Sequence, residues 1–332
     1  MELKVKNKIL KLPAFFPDAT LGVIKSIDSK DLENCKINGI VINTYHILRH
    51  NLNHIIKKAG GIHKYINYNG IIISDSGGFQ VMSLIKNNRK FGKIEEDKVI
   101  FKSENKIYIF TPEECIRLQL ELGSDIIMCL DDCTTHNCDK NSVEKTIKWA
   151  KKCKEEFVRL TKNLEQKPLI FGIIQGGNNK ELRKYCAEEL IKINFDGYSF
   201  GGWPIEDGVL MKDILKFTSN LIPNNLPKYA MGIGKPEDII VCGKMGYNMF
   251  DCVLPTRDAR HKRLYISNGV LHISKNENKD NLEPISKECD CYTCQNYSRA
   301  YLHNLFKIKE NLAFRLATIH NLRFYSKLLE EI

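Results

Sequence analysis

No apolar run in the 332 residues approaches the roughly 18–20 needed to cross a bilayer. The amino terminus also lacks the basic, then apolar, then small-residue succession of a secretory signal. The chain is therefore expected in the cytoplasm, without a membrane partner. Low-complexity tracts and internal repeats are missing as well. A content of 43% apolar, 27% charged and 9% aromatic residues excludes disorder, because disordered chains lack the hydrophobes to offset chain entropy. Acidic residues are in deficit: 40 Asp and Glu against 50 Lys and Arg leave a surplus of ten positive charges. That surplus suits a polyanion such as nucleic acid as partner, although soluble enzymes also carry this much charge for solubility alone. Twelve cysteines would mean disulfides in a small secreted domain, but in a long cytosolic chain they read as buried thiols, catalytic groups or metal ligands.

What is present is a rhythm. Eight short apolar runs fall around Ala14–Phe16, Gly39–Asn43, Ile71–Ser74, Ile126–Leu130, Leu169–Ile174, Gly197–Phe200, Ala230–Ile233 and Met249–Leu254. Amphipathic helical pattern lies between several of them, which is the signature of a parallel β/α fold, and eight repeats suggest a closed (β/α)8 TIM barrel. Thr111-Pro112-Glu113-Glu114 marks a helix start, with a capping hydroxyl, a proline at the first helical position and a carboxylate reaching back to the cap. Val99–Ser103 and Lys106–Phe110 flank a polar Glu104-Asn105 turn and predict a hairpin inserted between the third and fourth strands. After Leu254 come a basic stretch, Arg257–Arg263, a polar linker, Lys275–Glu288, then a Cys-rich segment and two helical stretches. Residues 1–273 are expected to form the barrel, and residues 274–332 a metal-binding subdomain with its helices packed on it.

Cys289-Asp290-Cys291-Tyr292-Thr293-Cys294 places three thiols within one turn, a spacing suited to tetrahedral zinc, with His303 or His320 as the fourth ligand. Three thiolates and an imidazole leave no place for water, so such a zinc is structural. Asp75, in Ser74-Asp75-Ser76-Gly77-Gly78-Phe79-Gln80, and Asp251, in Phe250-Asp251-Cys252, stand at strand ends within apolar runs. Two acids so placed suggest a nucleophile and an acid/base, while carboxylates capping helices or pairing with arginine offer a plainer account. Asp131-Asp132-Cys133, Gln175-Gly176-Gly177 and Gly201-Gly202 supply carboxylate, carboxamide and bare backbone N–H. Those groups suit the edge of a flat heterocycle, whose faces Phe79 and Met231 could sandwich unless both are core.

The chain resembles the tRNA-guanine transglycosylases (queuine tRNA-ribosyltransferases), of the bacterial type, from about Leu12 to its end. The resemblance is carried by Asn43-Thr44-Tyr45-His46, Ser74–Leu84, Leu122-Gly123-Ser124-Asp125, Asp131-Asp132-Cys133-Thr134, Phe171–Gly176, Phe195–Gly202, Met231–Gly234, Asp251–Arg257 and Cys289–Cys294 with His320. It implies a pentosyltransferase that exchanges the wobble guanine of tRNA anticodons for a 7-deazaguanine through a covalent intermediate with the ribose. Asp251 is then the nucleophile and Asp75 the general acid/base, a retaining two-carboxylate chemistry. Asp131, Gln175 and Gly202 read the purine edge, Phe79 and Met231 stack on it, and Ser76, Gln80, Asn43 and Cys133 support the pocket. The resemblance assigns Cys289, Cys291, Cys294 and His320 to zinc, Arg257, Arg260, Lys262 and Arg263 to tRNA phosphates, and a homodimer to the assembly. The chain departs from the family at Trp203-Pro204-Ile205-Glu206-Asp207, the loop facing the 7-substituent. There Ile205 and the nearby carboxylates Glu206 and Asp207 tilt the expectation toward 7-aminomethyl-7-deazaguanine over queuine. An end soon after the zinc helices argues against the archaeosine type. Rival readings are a non-catalytic partner subunit, against which both aspartates speak, a DNA-modifying relative, and an unrelated barrel hydrolase.

Overall fold

The computed structural model describes residues 1–103, 106–133 and 137–332. Eight parallel strands form one sheet: β1 (Ala14–Pro17), β2 (Gly39–Asn43), β3 (Ile71–Asp75), β4 (Ile126–Met128), β5 (Leu169–Ile174), β6 (Gly197–Phe200), β7 (Lys228–Ala230) and β8 (Met249–Cys252). Each pairs with its neighbour in sequence, β8 pairs with β1, and a parallel bridge between Asp18 and Val41 joins β1 to β2. The expected TIM-type barrel is the observed fold. β2, Gly-Ile-Val-Ile-Asn, is buried along its whole length, as a parallel strand covered on both faces must be. Phe16, Val41, Ile71, Ile73, Met128, Phe171, Ile173 and Met249 fill the barrel interior.

Several boundaries differ from the sequence reading. β7 is Lys228–Ala230 and not Ala230–Ile233, so Met231 to Gly234 belong to the loop beyond it. Lys228 begins a strand because its ammonium is buried against the Ser219 carbonyl at 2.7 Å and the Asn224 side chain at 3.0 Å. β4 stops at Met128, and Leu254 opens a helix, Leu254–Arg260, with Pro255 in its first turn. The insertion after β3 has three strands, Gly92–Ile94 being the added one, and its Glu104-Asn105 turn lies outside the described residues, as does Thr134. The Thr111 hydroxyl caps its helix through the Glu114 N–H at 3.2 Å, but the Glu114 carboxylate pairs with Arg117 instead of reaching back. An unanticipated hairpin, Glu2–Val5 and Lys8–Lys11, plugs the far end of the barrel with Val5 and Leu10. Its Lys6 and Lys8 meet buried Asp125 at 3.0 and 3.2 Å.

The Cys-rich segment itself ends in a short helix, Tyr292–Asn296, and the two helical stretches expected after it are Arg299–Lys307 and Leu312–Glu330. The last packs against the helix after β8, against β1 and against the helix Ser29–Asn34, and so completes the helical wall of the barrel.

Candidate active site

A cavity of about 610 Å³ opens at the carboxyl ends of the strands, where barrel enzymes build their sites from the βα loops. Asp75, the last residue of β3, Asp251 within β8 and Asp131 just beyond β4 all line it, as do Asp18, Phe79, Gly202, Trp203 and Met231. No Lys or Arg is among the described residues that line it.

Asn43, at the end of β2, donates through Nδ2 to Asp75 Oδ2 at 2.8 Å. The chain then turns at Gly77, with φ of 76° and a Cβ position only 2.7 Å from the Tyr45 nitrogen, so glycine alone fits and Phe79 can start the helix Gly78–Asn87 at the cavity wall. Asp251 Oδ1 accepts two hydrogen bonds, from the Tyr229 hydroxyl at 2.8 Å and the Gly232 N–H at 2.9 Å, and Oδ2 carries none among the described residues. Gln175 Nε2 donates to Asp131 Oδ2 at 2.6 Å, while Gln175 Oε1 is buried with no hydrogen-bond partner among the described residues.

Burial dominates the protonation of this trio. It raises Asp75 to about 7, with the charges of Asp131 and Asp251 adding to it and the Gly77 N–H opposing it. It raises Asp131 to about 7 against the hydrogen bond from Gln175. Asp251 rises less, to about 6, because the Gly232 N–H and the Tyr229 hydroxyl favour its ionised form. Three carboxyls that cannot all ionise easily near neutral pH can hold and release a proton there, which acid/base and nucleophilic chemistry both need.

Away from the cavity, the ligand atoms of Cys289, Cys291, Cys294 and His320 lie within 4.8 Å of one another. His320 Nδ1 is 3.3 Å from Cys294 Sγ and 3.7 Å from Cys291 Sγ, while Nε2 is 2.7 Å from the Tyr265 carbonyl. The second nitrogen thus orients the ring, as it does for metal-bound histidines generally. His303 is turned elsewhere, with Nδ1 2.8 Å from the Ile273 carbonyl, so His320 completes the cluster. The four groups could hold a metal ion.

The family described as Queuine tRNA-ribosyltransferase matches residues 1–332. A queuine tRNA-ribosyltransferase of Caldanaerobacter subterraneus subsp. tengcongensis is 44% identical over 337 residues, covering 99% of this chain and 88% of that protein. Those of Buchnera aphidicola subsp. Schizaphis graminum and Methylacidiphilum infernorum are 42% and 41% identical, each covering 89% of the relative and 98% and 99% of this chain. The chain belongs to the queuine tRNA-ribosyltransferase family. It is thus an enzyme of a family of pentosyltransferases.

Of the positions that the family resemblance singles out, Asp75, Asp131, Asp251, Phe79, Gly202, Met231 and Trp203 come together around the cavity. Ser76 and Gln175 do not line it. Ser76 is buried, its Oγ accepting from the Gly78 N–H at 3.2 Å, and Gln175 acts from behind Asp131. In the basic stretch Arg257 and Lys262 are exposed, Arg260 is half-buried with one guanidinium nitrogen that has no partner among the described residues, and Arg263 is exposed but sits 3.5 Å from Asp258. Glu206 and Asp207 lie outside the cavity lining, although Pro204 and Ile205 belong to it. Reasoning from sequence missed Tyr229, Asp18 and Arg183. Nothing local distinguishes Tyr229, which lies 22 residues before Asp251 in the chain, or Arg183. Among the described residues no helix is long and apolar enough to cross a membrane.

Proposed function

We propose that the chain is a tRNA-guanine transglycosylase that exchanges the wobble guanine of tRNA anticodons for a 7-deazaguanine, with 7-aminomethyl-7-deazaguanine favoured. The observation that carries this reading is Asp251. Both its hydrogen bonds fall on Oδ1, leaving Oδ2 for a new bond, in a cavity that also holds a second carboxyl, Asp75, poised near neutrality. Asp251 attacks the ribose C1′, the C1′–N9 bond breaks, and the electron pair leaves with guanine, which takes a proton from Asp75. The incoming base then gives its N9 proton to Asp75 and attacks C1′, freeing the Asp251 carboxylate. Two inversions give retention, one base leaves for each that enters, and no energy cofactor is consumed.

Asp131 and the Gly202 N–H read the purine edge, with Gln175 fixing Asp131. Phe79 and Met231 cover the faces. Four acidic side chains, Asp18, Asp75, Asp131 and Asp251, and no Lys or Arg among the described lining residues favour a cationic aminomethyl group over a neutral 7-cyano group, and the bulk of Trp203-Pro204 disfavours the cyclopentenediol of queuine. Arg257, Arg260, Lys262 and Arg263 hold anticodon-loop phosphates, giving affinity without sequence information. The donor set, the mutual distances and the oriented imidazole fit one structural zinc at Cys289, Cys291, Cys294 and His320. The reading also includes a barrel of residues 1–273, a zinc-binding subdomain of residues 274–332, a homodimer and a cytoplasmic site of action.

The test is release of labelled guanine from tRNA on addition of 7-aminomethyl-7-deazaguanine, its 7-cyano precursor or queuine. Release is expected with the aminomethyl base at the highest kcat/KM. Higher efficiency with queuine would overturn the choice of base, and no release with any base would overturn the activity.

A further inference from the structure

Arg183, in the helix Lys180–Ile193, is only 1% exposed, and among the described residues no carboxylate pairs with it. A buried cation is costly unless every donor is matched. Here Nε donates to the Gly177 carbonyl at 2.7 Å, one terminal nitrogen to Ile174 at 3.1 Å and the other to Gly201 at 3.0 Å. The guanidinium carbon lies 4.0 Å from the centre of the Phe200 ring, adding a cation–π contact. Burial lowers its pKa to about 10, so the side chain stays charged at neutral pH.

The three carbonyls are not arbitrary. Ile174 and Gly177 bracket Gln175 at the end of β5, and Gly201 precedes Gly202 at the end of β6. The Ile174 carbonyl also receives the Gly201 N–H at 2.9 Å, so one oxygen ties both strand ends to the guanidinium. Gly176 is required at the junction. It has φ of 145°, and a Cβ there would stand 2.6 Å from the Arg183 backbone nitrogen. A fork of fixed geometry therefore sets the spacing between the carboxamide that holds Asp131 and the backbone N–H of Gly202.

We infer that Arg183 is a positioning residue for base recognition, locking the β5 and β6 loops in the register at which Asp131 and Gly202 engage the purine edge. The inference rests on the transglycosylase reading and adds to it a residue that touches neither base nor ribose. Lysine keeps the charge but cannot span three carbonyls from one atom, so the loops lose their common anchor.

Steady-state kinetics of Arg183→Lys should show KM for the 7-deazaguanine raised about 30-fold, with KM for tRNA within about twofold and kcat within a few-fold. In Arg183→Ala, guanidinium ion should restore the KM for base and ammonium ion should not. A parallel rise in both KM values, no change in the Lys variant, or no guanidinium rescue in an Ala variant that melts like wild type would overturn the inference. Where the Ala variant does not fold, the Lys variant decides. Wild type that releases no guanine with any base would fail the transglycosylase reading instead. Calorimetric binding of the free 7-deazaguanine to wild type and Arg183→Lys reads the same contrast independently of exchange, and equal affinities there overturn the inference.

Discussion

Asp251 works between two opposing demands, since burial raises its pKa while the bonds from Tyr229 and Gly232 hold that rise to about 6. As the proposed nucleophile it must be ionised, so activity falls as pH drops through that value. Asp75 must enter the first step protonated, so activity falls again as pH rises through about 7. The proposed chemistry therefore gives kcat/KM for tRNA a bell-shaped profile, its limbs belonging to the coupled set of carboxyls. Tyr229→Phe removes a hydrogen bond that favours the ionised form, which moves the acid limb to higher pH. A bond to a charged group is worth on the order of 1.5 kcal/mol, so the shift should be about one unit with roughly tenfold lower activity below neutrality. A pH–rate comparison checks this, and an acid limb that stays in place would remove Tyr229 from the account.

Among the elements, the segment after β6 carries the choice of base in the proposed function. Ile205–Glu206 pairs with Val209–Leu210 across a turn whose residues Asp207 and Gly208 have φ of 49° and 81°, so the hairpin holds Pro204 and Ile205 at the cavity wall. Trp203, 45% exposed, meets Phe79 edge to face at 5.3 Å. In the double variant Trp203→Leu, Pro204→Ala, the kcat/KM ratio of queuine to 7-aminomethyl-7-deazaguanine should rise about tenfold, as expected for a pocket that gains room. An unchanged ratio would show that these side chains do not set the choice. The strand-end acids and the Cys-rich knuckle were readable because each breaks the surrounding apolar or polar pattern within a few residues. Lys228 hid the start of β7, because its buried ammonium depends on Ser219 and Asn224, partners that local pattern does not reveal. Arg183 sits in the charged run Lys180-Glu181-Leu182-Arg183-Lys184 and reads as solvated until the loops of two strands are brought over it. The amino-terminal hairpin escaped for a similar reason: Lys6 and Lys8 look like surface charge, and their partners, Asp125 just before β4 together with the Gly123 and Ser124 carbonyls for Lys6 and the Gly70 carbonyl for Lys8, are distant in sequence.

Across the molecule, the helix Leu312–Glu330 connects the cluster of three cysteines and His320 to the cavity. It carries His320, its Asn321 donates to the Pro255 carbonyl at 2.9 Å, and its Tyr325 donates to the Gly234 carbonyl at 2.5 Å beside the loop bearing Met231 and Gly232. Loss of the metal should therefore reach the active site through packing. Metal analysis of chelator-free protein is expected to give one zinc per chain. Its removal should lower Tm by about 10 °C and reduce exchange, both restored by added zinc. Stoichiometry near zero in fully active protein would remove the metal from the account. The central claim, that Asp251 forms a covalent bond to tRNA ribose, is tested most directly by denaturing the enzyme in the presence of tRNA and a base analogue, then mapping the RNA-linked peptide by mass spectrometry. The account predicts a ribose adduct on Asp251 in wild type and none in Asp251→Asn, with tRNA binding retained to within about twofold because phosphate contacts dominate affinity. An adduct that persists in Asp251→Asn, or that maps to another residue, would contradict it.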